Sequence, residues 1–120
     1  MINYSIILYY WFLFSFSFGG FTGIISANCI IDTILHDSYF VIGHFHYVLS
    51  LGAVYTIFAS IYNYLIMLSS YFSYTDFIGR IHFSLFFISS HLIFFSMHSQ
   101  GILGFPRRIF DYPILYFKFN

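Results

Sequence analysis

The chain has 120 residues, of which 60% are hydrophobic and 7% charged, with four basic and four acidic side chains. A soluble domain carries about a quarter charged residues, and a core of this size cannot enclose so much apolar side chain, so the surplus must face lipid. The balanced charge argues against a nucleic-acid-binding protein, and the single cysteine, Cys29, excludes an intrachain disulfide and a Cys-based zinc site.

Three stretches of the chain are long and apolar enough to cross a bilayer, whose core needs about 20 largely apolar helical residues. They lie at about 4–27, 39–68 and 77–103, and an amphipathic tail, 104–120, follows them. The sequence therefore predicts an all-α membrane protein, in which three transmembrane helices and the tail form a single transmembrane unit over 1–120.

Charged residues gather at one end of the predicted helices. The first helix has no charge, and the link after it, 28–38, is short and polar. Because the second and third helices form a hairpin, this link and the C-terminal tail should lie at the same membrane face. The residues predicted to share that face are Asp32, His36, Asp37, Arg107 and Arg108.

Two histidines, His44 and His46, lie near the start of the second predicted helix. Ionisable residues within an apolar span are costly and are functional candidates by default. Residues two apart are turned by about 200° on an α-helix, so these imidazoles point to opposite faces and cannot share one metal. Each could ligate its own centre, or each could hydrogen-bond to a neighbouring helix, with nearby small residues serving close packing. The spacing leaves both readings open.

The sequence around these histidines is similar to a known signature. Residues 36–54 read His-Asp-Ser-Tyr-Phe-Val-Ile-Gly-His-Phe-His-Tyr-Val-Leu-Ser-Leu-Gly-Ala-Val. This closely resembles the signature of subunit I of the haem–copper oxidases, with the cytochrome c oxidase branch as the nearest match. The resemblance extends to Phe-Gly-Gly-Phe-Thr-Gly-Ile at 18–24, to Ile-His-Phe at 81–83, and to Pro-Arg-Arg and Asp-Tyr-Pro at 106–108 and 111–113. It covers nearly the whole chain and implies a part of the oxidase helical bundle similar to helices IX to XI.

The resemblance implies roles for three residues of the second helix. His44 is similar to the proximal, catalytic ligand of the oxygen-binding haem a3, and His46 is similar to an axial ligand of haem a. Phe45 resembles a residue that lies between the two haems. Imidazole ligation agrees with these roles, since two axial histidines suit electron transfer and one leaves a coordination position open.

Further cofactor contacts are implied at the charged face. His36 and Asp37 look like ligands of a Mg²⁺ ion, and Asp32 resembles a residue near a haem a3 propionate. Arg107 and Arg108 resemble the pair that holds the haem propionates, which suits the planar bidentate guanidinium. The histidines lie only about 10 Å below this face, so a haem on either could reach the arginines.

The implied function is a part of the catalytic core of respiratory complex IV, which passes electrons from cytochrome c to oxygen and pumps protons across the mitochondrial inner membrane. The family's copper-binding histidines and its second haem a ligand have no counterpart in these residues. We therefore expect a divided subunit I whose remaining part binds copper (CuB), and an inactive isolated chain. Expected partners are that remainder, subunits II and III, accessory subunits, cytochrome c and membrane lipid, with no nucleic acid.

Three other readings remain at this stage. A quinol-oxidising member of the same superfamily would share the signature, a structural remnant would pack without haem, and a di-haem b-type carrier would also hold histidines in apolar helices. Such a carrier normally places its histidines on two helices at long spacing. We expect His82, His91 and His98 of the third helix to serve hydrogen bonding or packing, because the last two are about 10 Å apart along that helix.

Overall fold

The computed structural model describes residues 4–68 and 72–119. For residues 72–76 and 117–119 it describes the backbone alone. These described residues form five α-helices, in order α1 (Tyr4–Ser26), α2 (Cys29–Leu35), α3 (Tyr39–Phe45), α4 (Gly52–Leu68) and α5 (Phe72–Ile102). A π-helical segment, His46–Leu51, joins α3 to α4, and a 3₁₀ helix covers Ile114–Phe119.

Three helical stretches are long and apolar enough to cross a membrane: Tyr4–Ser26, Tyr39–Leu68 and Phe77–Ile102. The second is the continuous run of α3, the π-helical segment and α4. Within the described part of the chain no strand forms, and pairing of the β type is limited to one bridge between Ser38 and Pro106. The prediction of an all-α membrane protein with three transmembrane helices is confirmed.

The structure contains more helix than the sequence predicted. Within 28–38, α2 forms because Asn28 caps it, its side-chain oxygen accepting from the Ile30 amide at 3.1 Å. Helix α5 begins at Phe72, five residues before the predicted apolar stretch at 77. Hydropathy marks the part of a helix that contacts lipid, and helical hydrogen bonding continues beyond it.

The π-helical segment begins at His46 and was not predicted. The His46 amide donates to the carbonyls of both Ile42 and Gly43 as the wider turn starts. Such segments insert a residue into the helical repeat and occur frequently at functional sites. Here the segment begins two residues after His44 and alters the register of the helix that follows.

Two packing interfaces hold the three long helices together. Helix α1 lies along α4 and the π-helical segment, where Ser5 donates to the Ala59 carbonyl at 3.1 Å. Helix α3 crosses α5 so closely that a Cβ at Gly101 would overlap the Phe40 backbone. The core between these interfaces is apolar and aromatic, with fully buried Leu8, Tyr47, Leu51, Tyr55 and Ala59. Small residues at helix crossings are the usual basis of packing in membranes.

Candidate functional site

His44 points from α3 toward α1. Its Nδ1 lies 2.9 Å from the Gly19 carbonyl oxygen and 2.9 Å from Thr22 Oγ1. Because a carbonyl oxygen only accepts, the ring proton is on Nδ1, while the Thr22 hydroxyl itself donates to the Gly19 carbonyl at 2.8 Å. Nε2 is therefore the nitrogen left to coordinate, and ligation through one nitrogen with the other held by a carbonyl is the usual arrangement of a metal-bound histidine.

Glycine makes room for this imidazole on α1. A Cβ at Gly23 would lie 3.0 Å from Cε1 of His44 and 3.6 Å from its Nε2. Any larger residue at this position would therefore press on the edge of the ring that is free to coordinate. The glycine and threonine pattern at 19–23 thus positions His44: the Gly19 carbonyl and the Thr22 hydroxyl contact its Nδ1, and Gly23 leaves space for its ring.

His46 points toward α5 and is held differently. Its Nδ1 donates to the Ile42 carbonyl, 2.7 Å away on the same helix, so Nε2 is again the nitrogen left to coordinate. The ring stacks on Phe94 with centroids 4.7 Å apart and planes 20° apart. It also stacks on Phe45, at 4.6 Å and 27°. The side chain of Phe45 is 38% exposed on the described surface.

His44 and His46 thus contact different neighbouring helices and present Nε2 on different flanks of the middle helix. The Nε2 atoms of His91 and His98 are instead fully enclosed and, within the described chain, have no hydrogen-bond partner. Neither His44 nor His46 belongs to this enclosed set, so their Nε2 atoms reach the surface of the three-helix unit. Of these four histidines, His44 and His46 are the two whose Nε2 atoms a group outside the described helices could contact.

His82, which is also on α5, lies apart from these four histidines. Its Nδ1 is 2.9 Å from the Tyr62 hydroxyl of α4, and its ring makes an edge contact with Phe58. The hydrogen bonding expected for this histidine is therefore present in the structure. It lies nearer the membrane face opposite the charged end.

The charged link and the segment after α5 come together, as the hairpin argument predicts. Arg107 donates through Nη2 and Nε to Asp37 Oδ1, at 3.0 Å and 3.2 Å. The Arg107 amide donates to the Asp37 carbonyl at 2.9 Å, and the Tyr39 amide donates to the Phe105 carbonyl at 3.0 Å. We call this paired region, residues 36–39 with 105–108, the polar clasp.

The remaining predicted side chains extend from the polar clasp. His36 Nε2 lies 3.6 Å from Asp37 Oδ2, and His36 Nδ1 lies 3.8 Å from Asp32 Oδ2. Asp37 and Arg108 have positive φ angles of 58° and 60°. A left-handed conformation costs a non-glycine residue about 1–2 kcal/mol. Strain of this kind concentrates at functional sites, where surrounding contacts over-determine the backbone.

The donor chemistry of the described residues fits haem iron at His44 and His46. Each imidazole holds its Nδ1 against a carbonyl oxygen and leaves Nε2 as the nitrogen available to coordinate iron, and the apolar surroundings suit a porphyrin. The fit for Mg²⁺ is partial, because among the described ranges no group of three or more His, Cys, Asp or Glu residues converges to hold a metal. His36 and Asp37 can supply two donors, so a Mg²⁺ ion there needs further oxygen ligands from elsewhere.

Three contributors to the site were not predicted: the Gly19 carbonyl, Thr22 and Phe94. Thr22 and the Gly19 carbonyl fix His44, and the Gly-Gly-x-Thr-Gly motif at 19–23 was the signal that pointed to them. Phe94 stacks on His46 across 48 positions of sequence. No local pattern marks one phenylalanine of α5 among its many aromatic neighbours, so Phe94 could be found only from the structure.

Fold and site together define a class of protein: an all-helical integral membrane protein in which one helix presents two imidazoles on different flanks, close to a charged membrane face. The family described as Cytochrome C and Quinol oxidase polypeptide I matches residues 1–119. The chain belongs to this family.

Curated relatives agree with this assignment. The chain is similar to cytochrome c oxidase subunit 1 of Pecten maximus (47% identical), of Cereibacter sphaeroides (44%) and of Eremothecium gossypii (46%), in each case over 91% of its length. It covers 23%, 19% and 20% of these proteins respectively. The chain thus spans about a fifth of the length of the relatives it matches.

Proposed function

We propose that this chain forms part of the catalytic core of a cytochrome c oxidase, in which His44 is the proximal ligand of haem a3 and His46 an axial ligand of haem a. The family assignment and the names of the three relatives support an oxidase that takes electrons from cytochrome c. The activity, oxygen reduction coupled to proton pumping, requires the rest of subunit I, because the chain holds about a fifth of the relatives' length.

One observation carries this proposal: the imidazoles of His44 and His46 contact different neighbouring helices, α1 and α5 respectively, and neither Nε2 is among the enclosed atoms of the described chain. Two porphyrins are too large to share one side of a helix at the same depth. Placing the imidazoles on different flanks lets one helix hold both and keeps Phe45 next to His46, between the two ligands in the sequence.

Haem groups bound here would supply electron transfer and oxygen chemistry. The residues of the chain bind and orient them. The Gly19 carbonyl and Thr22 hydroxyl keep the proton of His44 on Nδ1, which leaves Nε2 as the ligand atom. The Ile42 carbonyl does the same for His46. Such hydrogen bonds also increase the basicity of the coordinating nitrogen.

The polar clasp supplies positive charge at the membrane face where haem propionates would lie. Arg107 has a side chain only 17% exposed and is fixed by Asp37, so its guanidinium is held in place before any propionate binds. Arg108 is exposed beside it. We propose that both arginines neutralise propionates, that Asp32 accepts a hydrogen bond near the haem a3 propionate, and that His36 and Asp37 contribute to a Mg²⁺ site.

The proposed setting is a multi-pass position in the mitochondrial inner membrane, within complex IV. The three apolar spans support a membrane location. The proposed partners are the remainder of subunit I with its copper ion, subunits II and III, the accessory subunits, cytochrome c and lipid. The many exposed large apolar side chains of the three helices support extensive contact with lipid or with these neighbours.

The test is to replace each ligand in the assembled oxidase and to record optical and EPR spectra. We expect His46→Leu to remove the low-spin ferric haem signal and His44→Leu to remove the high-spin haem that binds carbon monoxide. His91→Leu is the matched control, because its Nε2 is enclosed and cannot reach a cofactor. Retention of both haem signals in both ligand variants would refute the proposed function.

A second measurement addresses the polar clasp. In the assembled oxidase, Asp37→Asn should lower bound magnesium, measured by elemental analysis, while both haem signals remain. Asp111→Asn is the matched control, since Asp111 is an exposed carboxylate that accepts from the Tyr112 amide. Equal magnesium in the two variants would remove Asp37 from the proposed metal site and leave the haem assignments untouched.

A further inference from the structure

The His46 imidazole has a defined ring plane. The hydrogen bond from Nδ1 to the Ile42 carbonyl fixes one ring atom at 2.7 Å. Rotation about the bond that joins the ring to its side chain is broad for histidine, so one hydrogen bond leaves the plane loosely set. Stacking removes that freedom, because a ring held face to face can turn little without overlapping its neighbour.

Two phenyl rings provide this stacking. Phe94 lies 4.7 Å from the imidazole with a 20° interplanar angle, and Phe45 lies 4.6 Å away at 27°. Within the described chain Phe45 and Phe94 form no ring pair with each other, as expected for rings on opposite faces of one imidazole. Phe94 belongs to α5 and Phe45 to α3, so the plane of His46 depends on how these two helices cross.

The other proposed ligand is set in another way. In the part of the chain that the structure describes, no aromatic ring stacks on His44, whose Nδ1 instead has two oxygen neighbours at 2.9 Å. His44 is therefore oriented by polar contacts with α1, and His46 by aromatic contacts with α5. A substitution at Phe94 should act on the His46 centre and leave the His44 centre unchanged.

We propose that Phe94 is a positioning residue that, together with Phe45, fixes the plane of the His46 imidazole and thereby sets the electronic state of the haem bound there. This inference rests on the proposed function, in which His46 ligates the low-spin haem. A low-spin haem held by His46 and a second imidazole would give an EPR signal whose g values depend on the planes of the two rings, so the plane of His46 would be read in that signal. Orientation by neighbouring groups is one of the ways in which a protein tunes such a centre.

Substitution at Phe94 in the assembled oxidase tests this inference. Phe94→Leu keeps an apolar contact but removes the flat face, and Phe94→Tyr keeps the face. We expect Phe94→Leu to shift the lowest-field g value of the low-spin signal by more than its line width and to change the reduction potential of that haem. Phe94→Tyr should restore both values to those of the parent protein. The carbon monoxide spectrum of the His44 centre should stay unchanged in both variants.

Phe87→Leu is the matched control, because Phe87 packs on the enclosed His91 of the same helix, with centroids 4.3 Å apart. An identical g-value shift in Phe87→Leu would show a general loosening of α5 and overturn the proposal. So would a parental low-spin signal in Phe94→Leu. Should Phe94→Leu fail to assemble, Phe94→Met also removes the flat face, and its flexible side chain adapts to the space that the ring leaves, so it gives the same test.

The experiments can refute the proposed function and the positioning role of Phe94 independently. If the low-spin signal survives in His46→Leu, then His46 is no ligand and the proposed function is wrong. If that signal is lost in His46→Leu but is parental in Phe94→Leu, the ligand assignment stands and only the positioning role of Phe94 is wrong.

Discussion

Two pairs of histidines, His44 with His46 and His91 with His98, all donate from Nδ1 to a backbone carbonyl. The pairs differ in whether their Nε2 atoms are enclosed. His46 on the middle helix and both His91 and His98 on α5 donate from Nδ1 to the carbonyl four residues earlier, at 2.7 Å, 3.0 Å and 3.0 Å. His44 donates instead to a carbonyl of α1. The difference lies in Nε2, which is enclosed for the α5 pair and reaches the surface for His44 and His46.

A histidine within an apolar span can therefore be enclosed by the helices of its own chain, where no cofactor can contact it. His98 is 5% exposed and lies against Gly43, Phe40 and Tyr47, all inside the three-helix unit. No group outside the unit can reach its Nε2. His44 and His46 have the same imidazole side chain, but their Nε2 atoms are not enclosed, and the proposed haem ligation requires this.

The largest effect should come from breaking the helix crossing that separates the two pairs. Gly101→Ala would push a methyl group into the Phe40 backbone, which cannot move aside without separating α3 from α5. We expect a loss of about 3 kcal/mol or more in the free energy of unfolding, seen as a strongly reduced yield of assembled oxidase and a lower thermal midpoint.

Gly52→Ala provides the control for this prediction. A Cβ at Gly52 would make ordinary contacts, the nearest at 3.6 Å to Phe12. The alanine should be tolerated and gains about 0.5–1 kcal/mol of helix propensity over glycine. If Gly101→Ala and Gly52→Ala assemble equally well, the close crossing of α3 and α5 is not what keeps the α5 histidines enclosed.

A smaller effect should follow from removing the hydroxyl that supports the outward His44. Thr22→Val preserves shape and removes an oxygen 2.9 Å from Nδ1. Outer hydrogen-bond partners of a metal-bound histidine typically contribute about 10- to 100-fold in affinity. We expect easier loss of the high-spin haem on detergent treatment, with a lowered iron–histidine stretching frequency in the resonance Raman spectrum.

Ser26→Ala is the control, because Ser26 donates only to the Thr22 carbonyl, at 3.0 Å, within α1. It should leave the haem spectrum of the His44 centre unchanged. A parental stretching frequency in Thr22→Val would mean that the backbone carbonyl of Gly19 alone orients this imidazole.

The ion pair between Asp37 and Arg107 in the polar clasp should contribute less. Asp37 is 57% exposed, so its ion pair with Arg107 is partly screened by water. A double-mutant cycle of Asp37→Asn and Arg107→Gln should give a coupling of about 0.2–1 kcal/mol. The coupling should fall as salt is raised, and a value that does not change with salt would contradict an exposed pair.

The smallest effect on cofactor content should come from the enclosed pair. His98→Leu removes an imidazole with an unpartnered Nε2 and loses ring contacts to Phe18, Phe40 and Tyr47. The two changes oppose each other, so we expect both haem signals to be retained and the stability to change by about 1 kcal/mol or less. Loss of either haem in this variant would erase the distinction between enclosed and outward histidines.

Much of the fold follows from local patterns. The apolar stretches predict three spans. A hairpin of the second and third helices predicts that the link and the tail lie together, and the structure agrees, since Ser38 pairs with Pro106 and Asp37 with Arg107. Helix α2 and the π-helical segment were not predicted. Both depend on capping and on packing against neighbours, which hydropathy does not register.

The sequence by itself determined the membrane class, the family and the opposed directions of His44 and His46, because these follow from hydropathy, from a motif and from the helical repeat. Tertiary structure alone decided which histidines are enclosed, that Gly19 and Thr22 hold His44, and that Phe94 stacks on His46. Contacts of this kind join residues far apart in the chain. They depend on where α1 and α5 cross the middle helix, and no local pattern encodes that position.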